Sequence, residues 1–267
     1  MRWLLYFDTS ALSYDLSLRR VLKYEGVWGN MKETNKKITT ILWDVDDTLL
    51  DFGYSMRGAL KQCCQAVGVK ITEQMIDRYA QINEGWWKRL EQGEVTKAQL
   101  LNGRFADFFK EYGMEDLDVE RFRKDYQHNL GNIYSYRDDS LTICKALQTK
   151  FKQYVVTNGV ADTQRSKLGL SGFADVMVDM FISEEAGCNK PDKAFFEYCL
   201  AHVEEQDLER ILIVGDSLTS DIKGGNSVGI RTCWYNPSQK PLQEGFSVDY
   251  EISDLHQIYE ILEIFKG

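Results

Sequence analysis

The strongest constraint on the fold is a repeated local pattern: short apolar runs that stop abruptly at polar clusters, with helical patterns between them. The first run, Ile38 to Trp43, ends in Asp44-Val45-Asp46-Asp47-Thr48. Gln153 to Val156 ends in Thr157-Asn158-Gly159, and a run around Met180 to Ile182 leads into Ser183-Glu184-Glu185. Ile211 to Val214 ends in Gly215-Asp216-Ser217, and a fifth run covers Arg231 to Tyr235. Helical patterns lie near 138–149, 161–170, 192–203, 218–228 and 254–265. Apolar runs too short for helices, alternating with helical segments, read as buried strands joined by crossover helices. The expected fold is therefore α/β, a parallel sheet with helices on both faces.

One stretch breaks the alternation. Between about Phe52 and Arg137 no strand pattern occurs, only helical patterns near 53–67, 72–91, 96–112 and 118–130. Four helices in a row overrun a βα repeat of ordinary length. They read as a helical bundle inserted into the α/β domain. The chain then divides into an α/β core of 31–52 and 138–267 and a helical insertion of 53–137. Residues 1–30 precede what reads as a natural beginning at Met31-Lys32-Glu33. They are expected to be an upstream extension that packs poorly.

With 267 residues, 43% of them hydrophobic, the chain can bury a sizeable core in one or two domains. Its formal net charge of -9 does not suit a nucleic acid polymer, which needs clustered Lys and Arg, nor an anionic membrane surface. It leaves room for a small phosphorylated substrate held by a few local cations or one metal. No apolar run approaches the roughly 20 residues of a membrane span. The apolar start from Met1 to Phe7 is cut by Asp8, and no signal peptide is read there. None of the six cysteines forms a CxxC pair or sits near a suitable His, so they read as reduced thiols of a cytoplasmic protein. A monomer or homodimer is expected.

In open parallel sheets, ligands bind beyond the carboxyl ends of the strands. Asp44, Thr157, Lys190 and Asp216 can therefore converge although they are far apart in sequence. Asp44 and Asp46, two apart after a buried strand, project to the same side if the chain stays extended. Paired carboxylates attract a cation, and an all-oxygen set favours a hard ion such as Mg²⁺; a solvated turn is the plainer alternative. Asp216 can complete such a site, while Asp221 also suits a helix N-terminus. Thr157 with the following turn N–H groups can hold an anion or simply cap a helix. Lys190 precedes Pro191, a residue suited to a helix's first turn, where a cation is better explained by a nearby anion. Gly224-Gly225-Asn226 and Gly229 do not open a helix after a strand and are assigned to turns and packing. His128, His202 and His256 read as surface or structural residues.

Taken in order, four motifs resemble those of the haloacid dehalogenase superfamily of phosphatases. They are Asp44-Val45-Asp46-Asp47-Thr48-Leu49, Thr157-Asn158-Gly159, Lys190-Pro191 and Gly215-Asp216-Ser217-Leu218-Thr219-Ser220-Asp221. The resemblance spans most of residues 38–265 and implies a Rossmann-like sheet with an inserted helical cap domain. Asp47 departs from it, since many members carry Gly there, although related members carry an acidic residue. A narrower resemblance is to bacterial pyrimidine 5′-nucleotidases. It rests on Ser183-Glu184-Glu185-Ala186-Gly187, Ser220-Asp221-Ile222-Lys223-Gly224-Gly225, Gln92-Gly93-Glu94-Val95-Thr96 and Asn102-Gly103-Arg104-Phe105.

The resemblance implies that Asp44 attacks phosphorus to form an aspartyl-phosphate and that Asp46 is the general acid and base. It implies Mg²⁺ held by the carboxylates of Asp44 and Asp216 and the backbone carbonyl of Asp46. Thr157 and Lys190 would hold phosphoryl oxygens with help from N–H groups near Asp46 and Asn158, and Asp221 would position Lys190 or metal-bound water. In the cap, Arg104 would reach a sugar, base or phosphate, Phe52 would face the substrate, and Trp86, Trp87 and Phe105 would stack on a base or pack the cap core. The alternatives are a phosphatase or mutase for sugar phosphates or other small esters, and a non-catalytic protein that binds a phosphorylated ligand.

Overall fold

The computed structural model of the chain describes residues 36–264. The expectation for residues 1–30 lies outside the described residues.

Trp43 ends the central strand, β1 (Thr40–Trp43), and pairs in parallel with Val155 of β2 (Lys152–Thr157) and Val214 of β4 (Ile211–Gly215). With β3 (Asp179–Ile182), β5 (Arg231–Tyr235) and β6 (Tyr250–Ile252), these form one parallel sheet in the order β3-β2-β1-β4-β5-β6. The chain fills one side outward from β1, then returns to fill the other, so the order reverses between β1 and β4. Such a switch point opens a crevice at the carboxyl ends of the strands.

The two sheet faces carry separate cores. Ile41, Trp43, Val155, Leu212, Val214 and Cys233 belong to one, and Leu42, Tyr154, Val156, Ile211 and Ile213 to the other. Neighbours along a strand alternate faces, and with both faces buried the central strands β1 and β4 are apolar at almost every position. Burying both faces is what makes these runs easy to read.

The stretch after β1 is helical throughout: α1 (Phe52–Ala66), α2 (Glu73–Glu91), α3 (Lys97–Glu111) and α4 (Val119–Gly131). Each opens on a side-chain cap, from Asp51, Thr72, Thr96 and Asp118, and Thr96 with Gln99 forms a capping box. Their shared core includes Leu60, Tyr79, Phe105, Phe109, Phe122 and Tyr126. Tyr79 stacks on Phe105 with ring centroids 5.3 Å apart.

After α5 (Ser140–Leu147) and β2 comes α6 (Ala161–Leu170), which packs against α4 of the insertion. There the Thr163 hydroxyl donates to Gln127, whose side-chain oxygen is 2.8 Å away. Two further contacts link the insertion to the strand-end loops. Lys97 Nζ donates to Gly159 O (2.7 Å) and Ser183 Oγ (3.1 Å), and the Thr219 hydroxyl donates to Glu91 Oε2 (2.5 Å).

The structure departs from the sequence expectations at several elements. β6 (Tyr-Glu-Ile) carries no apolar run, and the sequence predicts no strand there. The short helix α7 (Ser183–Ala186) follows β3 directly. The next helix, α8 (Lys193–His202), is capped by Asp192, so Pro191 lies before its first turn rather than in it. The 218–228 helix opens as a π-helical turn, Leu218–Ile222, and becomes α9 only at Lys223–Val228. The last helical pattern reduces to a 3₁₀ turn, Leu255–Gln257, and α10 (Ile258–Ile261). The six cysteines are free, and all but Cys188 are buried.

Candidate active site

Asp44 follows the last residue of β1, and its N–H donates to Val214 O (2.9 Å), which carries the parallel pairing one step past the strand. The residue is 7% exposed. Its Oδ1 accepts from Lys190 Nζ at 2.6 Å and its Oδ2 from the Thr48 hydroxyl at 3.0 Å. Lys190 comes from the loop before α8, and its ammonium also donates to Asp221 Oδ1 (2.7 Å) and Val156 O (2.9 Å). Burial disfavours the lysine's charge, but Asp221 and Asp44 outweigh it and hold the pKa above the ordinary lysine value. The Asp44 carboxyl is pushed up to about 7 by burial, against the pull of Lys190, with Asp221 adding to the rise.

Asn158 fixes the segment that carries Lys190. Its side-chain amide donates to Lys190 O (2.9 Å), and its Oδ1 accepts from Lys190 N–H (2.8 Å). The Asn158 side chain is thus engaged with backbone. The buried Thr157 hydroxyl accepts from Gly159 N–H at 3.0 Å in the turn that ends β2.

Asp216 follows β4, and its N–H donates to Thr48 Oγ1 (3.1 Å). Among the described residues, oxygens of Asp44, Asp216 and Asp221 lie within 4.8 Å of one another. Asp221 is committed to Lys190 and, through Oδ2, to Ser217 N–H (3.2 Å). Gly215 makes room for it: a Cβ there would lie 2.3 Å from Asp221 Cγ. Asp216 differs from its neighbours, with no cation within ion-pair distance among the described residues. Burial, Asp44, Asp221 and Asp47 drive its carboxyl well above the ordinary range. A crowded set of hard oxygens with one uncompensated carboxylate fits a divalent cation such as Mg²⁺.

Asp46 points to different partners. Its Oδ1 accepts from Lys167 Nζ at 2.8 Å and its Oδ2 from Gln164 Nε2 at 2.6 Å, both on α6. Asp47 sits at φ 66°, the left-handed region that favours glycine. That is the backbone reason a glycine suits this position. Here the Asp47 carboxylate accepts from Phe52 N–H (3.2 Å) and Arg137 (2.7 Å).

Asp44, Thr157, Asn158, Lys190, Asp216 and Asp221 therefore meet at the carboxyl ends of β1, β2 and β4, with Asp46 beside them. Phe52 opens α1, its ring 5.8 Å from Lys167 Nζ. Arg104 stands apart, 1% exposed inside the insertion. It donates to Asn83 Oδ1 (2.7 Å), and its Nε and Nη2 have no partner among the described residues. Phe105 is core packing, and Trp86 and Trp87 pack with Val95, Leu100, Leu101 and Val160. Sequence reasoning gave no role to Thr48, Gln164, Lys167 or Arg137. The available signal was Gln164 and Lys167, three apart, just after the Thr157-Asn158-Gly159 turn.

The comparisons with known proteins agree with this architecture. Residues 38–229 match the family described as haloacid dehalogenase-like hydrolases. The chain is 38% identical over 229 residues to the Bacillus subtilis HAD-hydrolase YfnB, covering 86% of this chain and 97% of that one. A YfnB structure, described as bound to magnesium, superposes with a TM-score of 0.82 over 86% of this chain and all of that one. Pyrimidine 5′-nucleotidase PynA of Streptococcus pneumoniae is 33% identical over 84% of this chain and 94% of its own. Pyrimidine 5′-nucleotidase YjjG of Escherichia coli is 31% identical over 83% and 96%.

Proposed function

This chain belongs to the haloacid dehalogenase-like hydrolases and is a phosphoric monoester hydrolase, and we propose that it is a Mg²⁺-dependent 5′-nucleotidase acting on pyrimidine nucleoside monophosphates. The observation that carries the chemistry is Asp44 at the switch point, 2.6 Å from Lys190 and beside Asp216, which has no Lys, Arg or His within ion-pair distance among the described residues. The pyrimidine preference is supported by the relatives named for it.

In this reading a carboxylate oxygen of Asp44 attacks phosphorus, the ester oxygen leaves, and an aspartyl-phosphate forms. Asp46 gives the leaving alcohol its proton, then takes one from the water that hydrolyses the intermediate and restores Asp44. Lys190 and Thr157 hold the phosphoryl oxygens, with N–H groups near Asp46 and Asn158. Asp221 and the Asn158 side chain keep Lys190 in place. The carboxylates of Asp44 and Asp216 and the backbone carbonyl of Asp46 would hold Mg²⁺, which when bound supplies positive charge to offset repulsion between carboxylate and phosphate.

Residues 53–137 act as a cap that excludes water and selects the leaving group. Lys97, Glu91 and the Trp86–Trp87 pair are among its contacts with the strand-end loops, and Arg104, whose Nε and Nη2 have no hydrogen-bond partner among the described residues, is the cap residue that would reach the sugar, base or phosphate. No helix among the described residues is long and apolar enough to cross a membrane. The intact Asp44, Asp46, Lys190 and Asp216 speak against a protein that only binds phosphorylated ligands.

The test is hydrolysis of UMP, dUMP and dTMP beside purine nucleotides and sugar phosphates, with and without Mg²⁺, by wild type and Asp44→Asn. Mg²⁺-dependent turnover of the pyrimidine nucleotides, absent in Asp44→Asn, is expected. Activity without metal, or retained in Asp44→Asn, overturns the mechanism; a preference for sugar phosphates overturns the substrate.

A further inference from the structure

We propose that Gln164 and Lys167 are positioning residues that aim the Asp46 carboxylate at the leaving group, an inference that rests on the acid and base role given to Asp46 above. Neither residue belongs to the four strand-end motifs. They lie three apart on α6 and so share one face of the helix. Each takes one oxygen of the same carboxylate, at 2.6 Å and 2.8 Å.

Packing alone does not account for this pair. Lys167 is fully buried and Gln164 is 2% exposed. A buried ammonium is costly unless it is paired, and a leucine or methionine would fill the same space without that cost. Among the described residues the one acidic partner of Lys167 is Asp46. Gln164 shows the same priority, because its Oε1 has no hydrogen-bond partner among the described residues while its amide N–H₂ faces Asp46. Turning the amide over would set two oxygens against each other, so the donor faces the carboxylate and the amide oxygen goes unmatched. The neighbouring backbone is shaped to admit this side chain: a Cβ on Gly159 would lie 2.2 Å from Gln164 Nε2.

The clamp holds without exhausting the carboxylate. An ionised carboxylate offers roughly four acceptor positions, and the clamp uses two. Each oxygen keeps a lone pair that the clamp does not use, so Asp46 can face the leaving group without leaving its supports. The same strand-loop-helix unit carries Thr157 at the end of β2 and the clamp on α6. The phosphate-holding hydroxyl and the proton-transfer group are thus set by one rigid piece. A displacement of about 1 Å at such a group can reduce rate about a hundredfold, which is what fixed support prevents.

The experiment compares two substrates in wild type, Gln164→Met, Lys167→Met and Lys167→Arg, all with Mg²⁺. A nucleoside monophosphate expels an alkoxide and needs a proton from Asp46; 4-nitrophenyl phosphate expels a stable phenolate and does not. Because kcat/KM reports the first phosphoryl transfer, positioning predicts a loss of about ten- to a hundredfold on the nucleotide and less than about threefold on the aryl ester. KM should stay near wild type, and Lys167→Arg should recover part of the nucleotide rate. Thermal unfolding of each variant separates folding loss from this selective effect. Gln164→Met leaves the buried ion pair in place, so it decides the matter if Lys167→Met does not fold. Equal losses on both esters, or none on either, overturn the inference and leave the phosphatase reading standing. A wild type that hydrolyses neither ester removes both.

Discussion

Replacing Gly215 with alanine puts one methyl group where the structure has no room. The new Cβ would lie 2.3 Å from both Cγ and Oδ2 of Asp221 and 2.6 Å from its Cβ. These gaps are about 1 Å or more inside ordinary van der Waals contact. Asp221 cannot move freely, being 1% exposed and bound to Lys190 at 2.7 Å and to Ser217 N–H at 3.2 Å. If the backbone absorbs the strain, overpacking costs about 1–3 kcal/mol. If Asp221 is expelled from the pair, breaking a buried ion pair costs about 3–5 kcal/mol. The closeness of all three atoms favours expulsion. For a chain of this size that loss lowers the unfolding midpoint by roughly 6–20 °C. Activity should fall at least about tenfold, since Lys190 loses one of its two anionic anchors. Thermal and urea unfolding beside Mg²⁺-dependent turnover provide the assay. Gly85→Ala in α2 is the control, because no atom beyond its chain neighbours and the adjoining helix backbone lies within 4 Å of its added Cβ. That change should stabilise by about 0.5–1 kcal/mol. In an Asp221→Gly background, Gly215→Ala should cost less than about 1 kcal/mol, because the clashing atoms are gone. A Gly215→Ala protein within about 1 kcal/mol of wild type, or penalties that simply add, would refute the reasoning.

Arg104→Met should change stability by less than about 2 kcal/mol in either direction, because relief of two donor nitrogens left unmatched among the described residues is offset by stranding the buried Asn83 Oδ1 and losing the contacts with the Phe105 and Tyr126 rings. It should raise KM for the nucleotide, and unchanged kinetics would exclude Arg104 from recognition. Burial raises the Glu91 carboxyl above its ordinary 4.5, against the Thr219 hydroxyl and with Asp221 adding to the rise. A raised folded-state value means that this contribution to stability is complete below the unfolded value and fades as pH climbs through the folded one. Glu91→Gln keeps an acceptor for Thr219. It should therefore unfold at a higher temperature than wild type near about pH 8, with the gap closing toward about pH 4; a pH-independent gap would contradict this.

What could be read from the sequence follows from where each element lies. Ile38 to Trp43 and Ile211 to Val214 stand out because sheet and helices cover both their faces. Tyr250 to Ile252 sits at the sheet edge, only three residues long with Glu251 in its middle, and so carries no apolar signal. The helical pattern after Asp216 was visible, but its wide first turn was not. That turn depends on Asp221 and Ile222 both donating to Ser217 O, at 3.0 Å and 3.2 Å. In the site, the strand-end residues announced themselves because a polar cluster after a buried strand is uncommon. Lys167 did not, since a helical lysine ordinarily marks a solvent face and only the tertiary fold turns this one inward. Arg104 could be singled out, but the sequence held no sign that it would be sealed inside the insertion.

The three bonds of Lys190 also bear on how the enzyme chooses among anions. An ammonium has three protons, and in this structure Asp44, Asp221 and Val156 take one each. A phosphate oxygen that reaches this lysine must displace a partner already in place, so binding there is an exchange rather than an addition. A weak anion such as chloride offers too little in return, while a phosphoryl dianion gives several oxygens and a second charge. The resting site thereby sets a threshold that favours phosphate esters over the small anions around them. In the proposed mechanism the same residues then carry out the reaction.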